Sequence, residues 1–251
     1  MAGVEGRVAL VTGAGRGIGQ ATTELLVSRG ARVMAVARNE KELAALGTEY
    51  IVADLGTPLG CALAVEETLQ RLGPIEIFVC NHGIGSAREQ VIWEQDAEVW
   101  RETMRVNLDG PFYLSQLVLK AMVEGGYGRV VYTSSTAGQV AEYAGSAYNS
   151  SKHGLLGLMR SAAQDGGSYG ITSNAVLPGW VRTEMAERSA RAEAQSRGIT
   201  PEQVWDERAA LYPPGRVATP MEVAEMIAFL ASEESSGVSG QAITVALGSI
   251  W

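Results

Sequence analysis

A chain of 251 residues, 46% of them hydrophobic, can bury one large core, and at this length an α/β fold is commonly one domain. Its net charge of −8 argues against a nucleic acid or an anionic membrane as partner, because both demand a basic face. Cys61 and Cys80 lack metal-ligand spacing and read as free thiols of a reducing compartment, while His82 and His153 stand alone, which argues against a zinc site.

The opening segment MAGVEGR has no apolar core of a leader and no run in the chain reaches the length of a membrane span, so the cytoplasm is the expected location. Arg7 to Val11 is a short apolar run that reads as a strand. Gly13, Gly15, Gly17 and Gly19 follow it, with Arg16 and Ile18 between them, and then the helical pattern QATTELLVSRGA. A strand, a glycine turn and a helix form the setting of a dinucleotide-binding fingerprint: glycines let the main chain approach a pyrophosphate, whose charge the amides at the helix start can meet. A plain glycine turn between strand and helix is the alternative. The second strand, Arg32 to Arg38, ends in Ala37-Arg38 where an NAD site would carry a carboxylate for the ribose. A guanidinium there suits a 2′-phosphate, with Arg16 able to approach the same group, so the expected cofactor is NADP(H).

Tyr50 to Ala53 reads as a third strand, with Asp54 and Leu55 at its end, on the adenine side. A helix over Leu59 to Leu72 and a fourth strand over Ile75 to Cys80 lead into Asn81-His82-Gly83. His82 sits in a turn without a nearby acid and reads as a loop residue near the cofactor rather than a base. Alternation of strand and helix predicts a doubly wound α/β domain, a parallel sheet with helices on both faces. One long amphipathic helix is expected from Asp96 to Gln116 with Asn107 in its middle, either bridging helices or holding a water.

Ser135 follows the strand run Val130 to Tyr132, at the carboxyl end where open α/β sheets place their ligands. Tyr148 and Lys152 lie four apart in a helical pattern that runs to about Ala163, where Gly166-Gly167 is expected to fray it. A cation on the same face as a phenol favours the phenolate and is expected to lower the tyrosine's pKa. A half-buried tyrosine beside a solvated lysine is the alternative reading of the spacing. A strand at Ile171 to Leu177 ends at Pro178-Gly179, with Thr183 beyond. Helices near 186–196 and 201–211 make residues 180–217 an insertion, read as a substrate lid, a surface hairpin or an oligomer contact. Trp180, Met185, Trp205, Tyr212, Trp93 and Tyr143 suggest an apolar or aromatic pocket, or packing. A helix over Pro220 to Leu230 and a last strand over Gln241 to Leu247 complete a seven-stranded sheet.

In order and context, these motifs resemble the short-chain dehydrogenase/reductase family along essentially the whole chain, 1–251. The resemblance implies a Rossmann-type fold in which Asn107, Ser135, Tyr148 and Lys152 are the catalytic set. Tyr148 would be the acid/base, Ser135 the group orienting the substrate oxygen, Lys152 the ribose-binding cation, and Asn107 the holder of a relay water. Gly13, Arg16, Gly17, Ile18, Gly19, Arg38, Asp54, Leu55, Asn81, Gly83, Pro178, Gly179 and Thr183, with Tyr148 and Lys152, would hold NADP(H). Hydride would pass directly between nicotinamide and a ketone or secondary alcohol without a metal. A homo-oligomer, dimer or tetramer, is implied. The chain departs from the family's pattern at Cys80-Asn81-His82-Gly83, at Gly166-Gly167 and at Ala246-Leu247-Gly248. A 3-oxoacyl thioester reductase is a second reading, weakened by the acidic chain and by Tyr169 where such enzymes tend to place a base, Arg129 alone being present of that basic pair. A non-catalytic NADP(H) sensor or scaffold is a third, and would not be expected to keep the full catalytic set.

Overall fold

The computed structural model describes residues 3–85 and 90–249. Seven strands occur in chain order: β1 (Val8–Thr12), β2 (Arg32–Ala37), β3 (Glu49–Val52), β4 (Ile77–Cys80), β5 (Gly128–Thr133), β6 (Ile171–Pro178) and β7 (Ala242–Val245). They form one sheet in the order β3-β2-β1-β4-β5-β6-β7, every pair parallel. The helices are α1 (Gly17–Ser28), α2 (Glu40–Ala44), α3 (Pro58–Arg71), α4 (Ala97–Met104), α5 (Gly110–Gly125), α6 (Ser146–Gly166), α7 (Glu184–Arg197), α8 (Pro201–Ala210) and α9 (Pro220–Leu230). This is the expected doubly wound Rossmann architecture.

Successive strand residues serve two different cores, which is why the strands read as unbroken apolar runs rather than alternating ones. Leu10, Phe78, Val130 and Tyr132 join Leu114, Leu155 and Met159 on the face covered by α3, α5 and α6. Ala9, Val11, Val79 and Val131 join Leu26, Val223 and Ile227 on the face covered by α1 and α9. The chain leaves β1 towards β2 and β3 on one side, while β4 lies on the other. The crevice between the carboxyl ends of β1 and β4 is therefore the sheet's switch point, where a ligand site falls in folds of this kind.

Three local expectations need correction. The helix expected from Asp96 to Gln116 is broken: between α4 and α5 lies a π-helical turn, Arg105–Asp109, that contains Asn107. Pro111 explains it, because a proline has no N–H for the carbonyl of Asn107 four residues earlier and so opens the helical register. Gly110 adds to the effect; a Cβ there would stand 2.1 Å from the Leu55 carbonyl oxygen, so the helix presses against the end of β3 at this point. Second, α6 does not fray before Gly166 but runs through it, followed by a 3₁₀ turn over Gly167–Tyr169. A Cβ on Gly166 would meet the Ile171 Cβ at 3.0 Å, so close packing on β6 outweighs glycine's poor helix propensity. Third, α2 went unread; it is a short helix capped by Asn39, whose side chain accepts from the Lys41 and Glu42 amides.

Between β6 and α9, Thr183 caps α7 and a Thr200–Gln203 capping box opens α8, with Gly198 in the left-handed region between them. Ala186, Ala190, Ala194, Val204 and Trp205 give this segment a small core of its own. No described helix is long and apolar enough to cross a membrane.

Candidate active site

The glycine turn is dictated by close approach. Gly13 (φ 63°) and Gly17 (φ 57°) adopt the left-handed region, and a Cβ on Gly19 would stand 2.0 Å from the Gly13 carbonyl oxygen. Arg16, the residue before α1, makes no side-chain cap, and the first turn of α1 carries no acidic residue. The amides and positive end of the helix dipole therefore face a cavity of about 890 Å³, which Gly13, Gly17 and Ile18 line. Arg38 is exposed and lines the same cavity. Arg16 is paired with Glu184 at the start of α7, 2.8 Å away, so its charge is directed at the cap segment and Arg38 is the cation left to face a ligand's phosphate.

Asp54 and Leu55 close the same end. Asp54 accepts from the Gly56 amide at 3.0 Å and from Arg105 at 3.1 Å. Burial raises its pKa, but these two donors outweigh it and hold the carboxyl below its usual range. Leu55 is buried against the core.

At the switch point, one hydroxyl organises the turn after β4. Thr12 Oγ1 accepts from the Asn81 amide at 3.0 Å and the His82 amide at 3.3 Å, and contacts His82 Nδ1 at 2.9 Å. Asn81 Nδ2 donates to the Gly13 carbonyl, tying the two turns together. Burial, reinforced by the charge of Lys152, pushes the His82 pKa down to about 3. The imidazole is thus neutral at physiological pH, a structural member of the turn, as its place in the sequence suggested. At Gly83 a Cβ would lie 3.2 Å from Asn107 Oδ1, a tight contact, and 3.6 Å from Lys152 Nζ, so this turn packs closely against both polar groups.

Asn107 is fully buried, and both ends of its side-chain amide are bonded to protein. Its Oδ1 accepts from the Ile84 amide at 2.8 Å, and its Nδ2 donates to the Ile84 carbonyl at 2.9 Å and to Ser151 Oγ at 3.2 Å. It bridges the loop after β4 to α6. Tyr148 and Lys152 share one face of α6, with Nζ 5.6 Å from the ring centroid. Lys152 is buried and donates to the Thr133 carbonyl at 3.0 Å, and burial pulls its pKa down to about 8. Ser135 caps the 3₁₀ turn Thr136–Gly138: its Oγ accepts from the Ala137 amide at 3.1 Å, which leaves its hydrogen for another acceptor.

The expected depression of the tyrosine's pKa is not what the structure gives. Desolvation pushes Tyr148 up to about 12, and the Ser135 hydroxyl bonded to it recovers only part of that shift. Burial is the larger effect, and the charge of Glu142 adds to it, while Lys152 is itself desolvated.

Pro178 ends β6, and Gly179 donates to the Val245 carbonyl. Thr183 caps α7, and its methyl would meet a Cβ on Gly17 at 3.2 Å, bringing the cap segment onto the glycine turn. Of the aromatic and sulfur side chains singled out in the sequence, Trp180, Met185 and Tyr143 line the cavity. Trp205 and Tyr212 are instead buried within or beneath the cap, and Trp93 is 80% exposed away from the site. Arg129 is no surface base: it is 4% exposed, donating to the Ser232, Gly128 and Gly170 carbonyls and to Glu233. Glu42 and Ser189 at the cavity wall and Arg208 behind it went unread.

Residues 13–249 match the family model described as Enoyl-(Acyl carrier protein) reductase. The chain is 33% identical over 248 residues to 3-oxoacyl-(acyl-carrier-protein) reductase FabG of Escherichia coli, 96% of each chain being covered. Among solved structures, levodione reductase superposes with a TM-score of 0.93 at 31% identity over 97% of both chains. A variant of actinorhodin polyketide ketoreductase, solved with NADPH, gives 0.92 at 33% identity over 96% of both. The chain belongs to the short-chain dehydrogenase/reductase family.

Proposed function

We propose that this protein is an NADP(H)-dependent oxidoreductase that interconverts a ketone and a secondary alcohol, with reduction the working direction. The observation that carries it is that a single cavity has an uncapped helix terminus and Arg38 at one end and Ser135, Tyr148 and Lys152 together at the other. The relatives named above are a 3-oxoacyl-(acyl-carrier-protein) reductase, a levodione reductase and a polyketide ketoreductase, the last solved with NADPH.

NADPH, when bound, would supply hydride to a carbonyl carbon. The amides of the Gly13–Gly19 turn and α1 would hold its pyrophosphate, Arg38 its 2′-phosphate, Asp54 its adenine side and Lys152 its ribose, with Pro178, Gly179 and Thr183 on the nicotinamide side. The Ser135 hydroxyl would turn its hydrogen from Tyr148 to the substrate oxygen, fixing the carbonyl against the phenol. With its pKa near 12, Tyr148 carries its proton throughout the neutral range, as a donor to a developing alkoxide must. Lys152 then stabilises the phenolate left behind. The side chain of Asn107 is committed to Ile84 and Ser151, so its relay role falls to the main-chain carbonyl that Pro111 cannot partner. That oxygen would hold the water that returns a proton towards Lys152.

Residues 180–217 cover the cavity as a substrate lid within a single domain. The protein works in the cytoplasm as a homo-oligomer, dimer or tetramer. A 3-oxoacyl thioester is a second substrate class for the same chemistry, favoured by the likeness to FabG; the burial of Arg129 and the presence of Tyr169 remove a basic surface pair for an acidic carrier protein. The test is NADPH oxidation, with NADH in parallel, against aryl ketones, cyclic diketones, sugars and a 3-oxoacyl thioester. Turnover of a free ketone with NADPH supports the main reading. Turnover of the thioester alone supports the second, and tight NADPH binding with no turnover of any carbonyl compound would contradict both.

A further inference from the structure

The cap contains a stack of alternating aromatic and cationic groups that the catalytic set does not explain. The Arg208 guanidinium lies 3.6 Å from the centroid of the Trp180 ring and 5.1 Å from that of Trp205, between the two indoles. Arg182 stands 5.1 Å from Trp205 in turn. Arg208 is 5% exposed, and a buried guanidinium must have its donors satisfied. It donates to the Ala186 carbonyl at 3.3 Å, Ser189 Oγ at 3.0 Å and Glu193 at 2.9 Å, all three on α7. Fixed in this way by α7, it cannot move without dismantling the helix pair, and neither can the ring stacked on it.

The main chain of Trp180 is held as firmly. Its N–H donates to the Tyr212 hydroxyl at 2.6 Å, and its carbonyl accepts from the Ala218 amide at 3.1 Å. The indole stacks on Arg208, and Trp180 is among the residues that line the cavity holding Tyr148. Met185 and Ile84 line that cavity too. A rigid aromatic wall of this kind rewards a flat, apolar ligand, because aromatic partners gain from stacking or edge contacts beyond the area they bury, and because the wall has already lost its rotamer freedom before binding.

We propose that Arg208 is a positioning residue for substrate: by holding Trp180 as a fixed wall, it makes this enzyme favour ketones borne on or next to a ring over linear 3-oxoacyl chains. The proposal rests on the reductase reading above and adds the substrate class to it. Arg208 is not among the residues that line the cavity and acts on substrate through Trp180, the ring it stacks on.

The test compares 1-tetralone with ethyl 3-oxohexanoate as substrates, NADPH being the cofactor. The wild type is expected to show the higher kcat/KM for the tetralone. Trp180→Ala should lower kcat/KM for tetralone by about tenfold and change the linear ester by no more than about twofold, while Trp180→Phe, which keeps a flat face, should stay within about threefold of wild type on both. Arg208→Met should raise KM for tetralone by about fivefold with kcat within about twofold, and leave the NADPH Kd measured by fluorescence unchanged. Equal losses on both ketones, a weakened NADPH Kd, or an unchanged tetralone KM would overturn the proposal. If a thermal melt shows that Arg208→Met does not fold, the Trp180→Ala and Trp180→Phe pair decides alone. A wild type that turns over both ketones with equal kcat/KM, or the ester alone, contradicts the ring preference but not the reductase reading, whereas one that turns over neither of these nor any carbonyl compound of the wider panel contradicts both.

Discussion

Tyr148 and Lys152 meet because an α-helix brings residues four apart onto one face; Trp180 and Tyr212 meet although 32 positions separate them, because a helical hairpin folds back over the sheet. The two halves of the site thus depend on different physics. The catalytic half is set by local geometry at the ends of β1, β4 and β5, anchored in the two cores of the sheet. The cap half depends on tertiary contacts among α7, α8 and the segment after β6, with its own small core. Substitutions in the first half should therefore alter chemistry and cofactor binding with the fold intact, and those in the second should alter substrate affinity and local stability.

The sharpest way to break this contrast is at Lys152. Lys152→Met should lower kcat/KM by roughly a thousandfold, within the range expected of a group supporting acid–base catalysis. It should also stabilise the fold at neutral pH. The fold depresses this lysine's pKa from 10.5 to about 8, so the folded state holds the proton less tightly than the unfolded chain does. That penalty, about 3 kcal/mol, is fully present below about pH 8 and fades as pH rises towards 10.5. Denaturant melts of wild type and variant at pH 7 and pH 10.5 should show the variant's advantage at the lower pH and its disappearance at the higher. A variant less stable at both would contradict the assignment of a buried charge.

Arg38→Asp is expected to move the ratio of NADPH to NADH kcat/KM by about a hundredfold towards NADH, the effect of replacing a charge-assisted phosphate contact by a repulsive one. An unchanged ratio would place the phosphate elsewhere. Trp205→Ala should act on the cap only: amide exchange should rise in α7 and α8 and not in β1, β4 or β5, and KM should rise by about threefold with kcat kept. Exchange that rises throughout the sheet would mean that the cap is no separate unit. The smallest effect is expected at Glu184→Gln. The Arg16–Glu184 pair is solvent-exposed on both sides, so NADPH affinity should change by no more than about threefold, read by fluorescence titration.

The same contrast explains what could be read in the sequence. The alternation of strands and helices, the glycine turn, the Ser135, Tyr148 and Lys152 grouping and the place of His82 in a loop rather than as a base all follow from short-range patterns. The π turn at Asn107 was readable in principle from Pro111 four residues on, but amphipathic periodicity ran through it and hid the break. The helix through Gly166 was not readable, because it depends on how closely Ile171 packs. The tyrosine's pKa was misjudged since spacing reports the neighbouring cation and not the desolvation of both partners. In the cap, the two helices were legible, while the roles of Thr183 and Thr200 as their caps went unread. Which aromatic rings face the cavity was not legible, and Arg208, an arginine on a polar helix, gave no hint that it is buried between two indoles.

The most direct test of the account is a paired measurement on Tyr148→Phe: NADPH binding by fluorescence and ketone turnover in the same preparation. The account expects an NADPH Kd within about threefold of wild type and a kcat lower by about a thousandfold or more, since only the proton donor is removed. A variant that binds NADPH normally and still reduces the ketone at a rate near wild type would show that the proton comes from another group and that the site has been wrongly assigned.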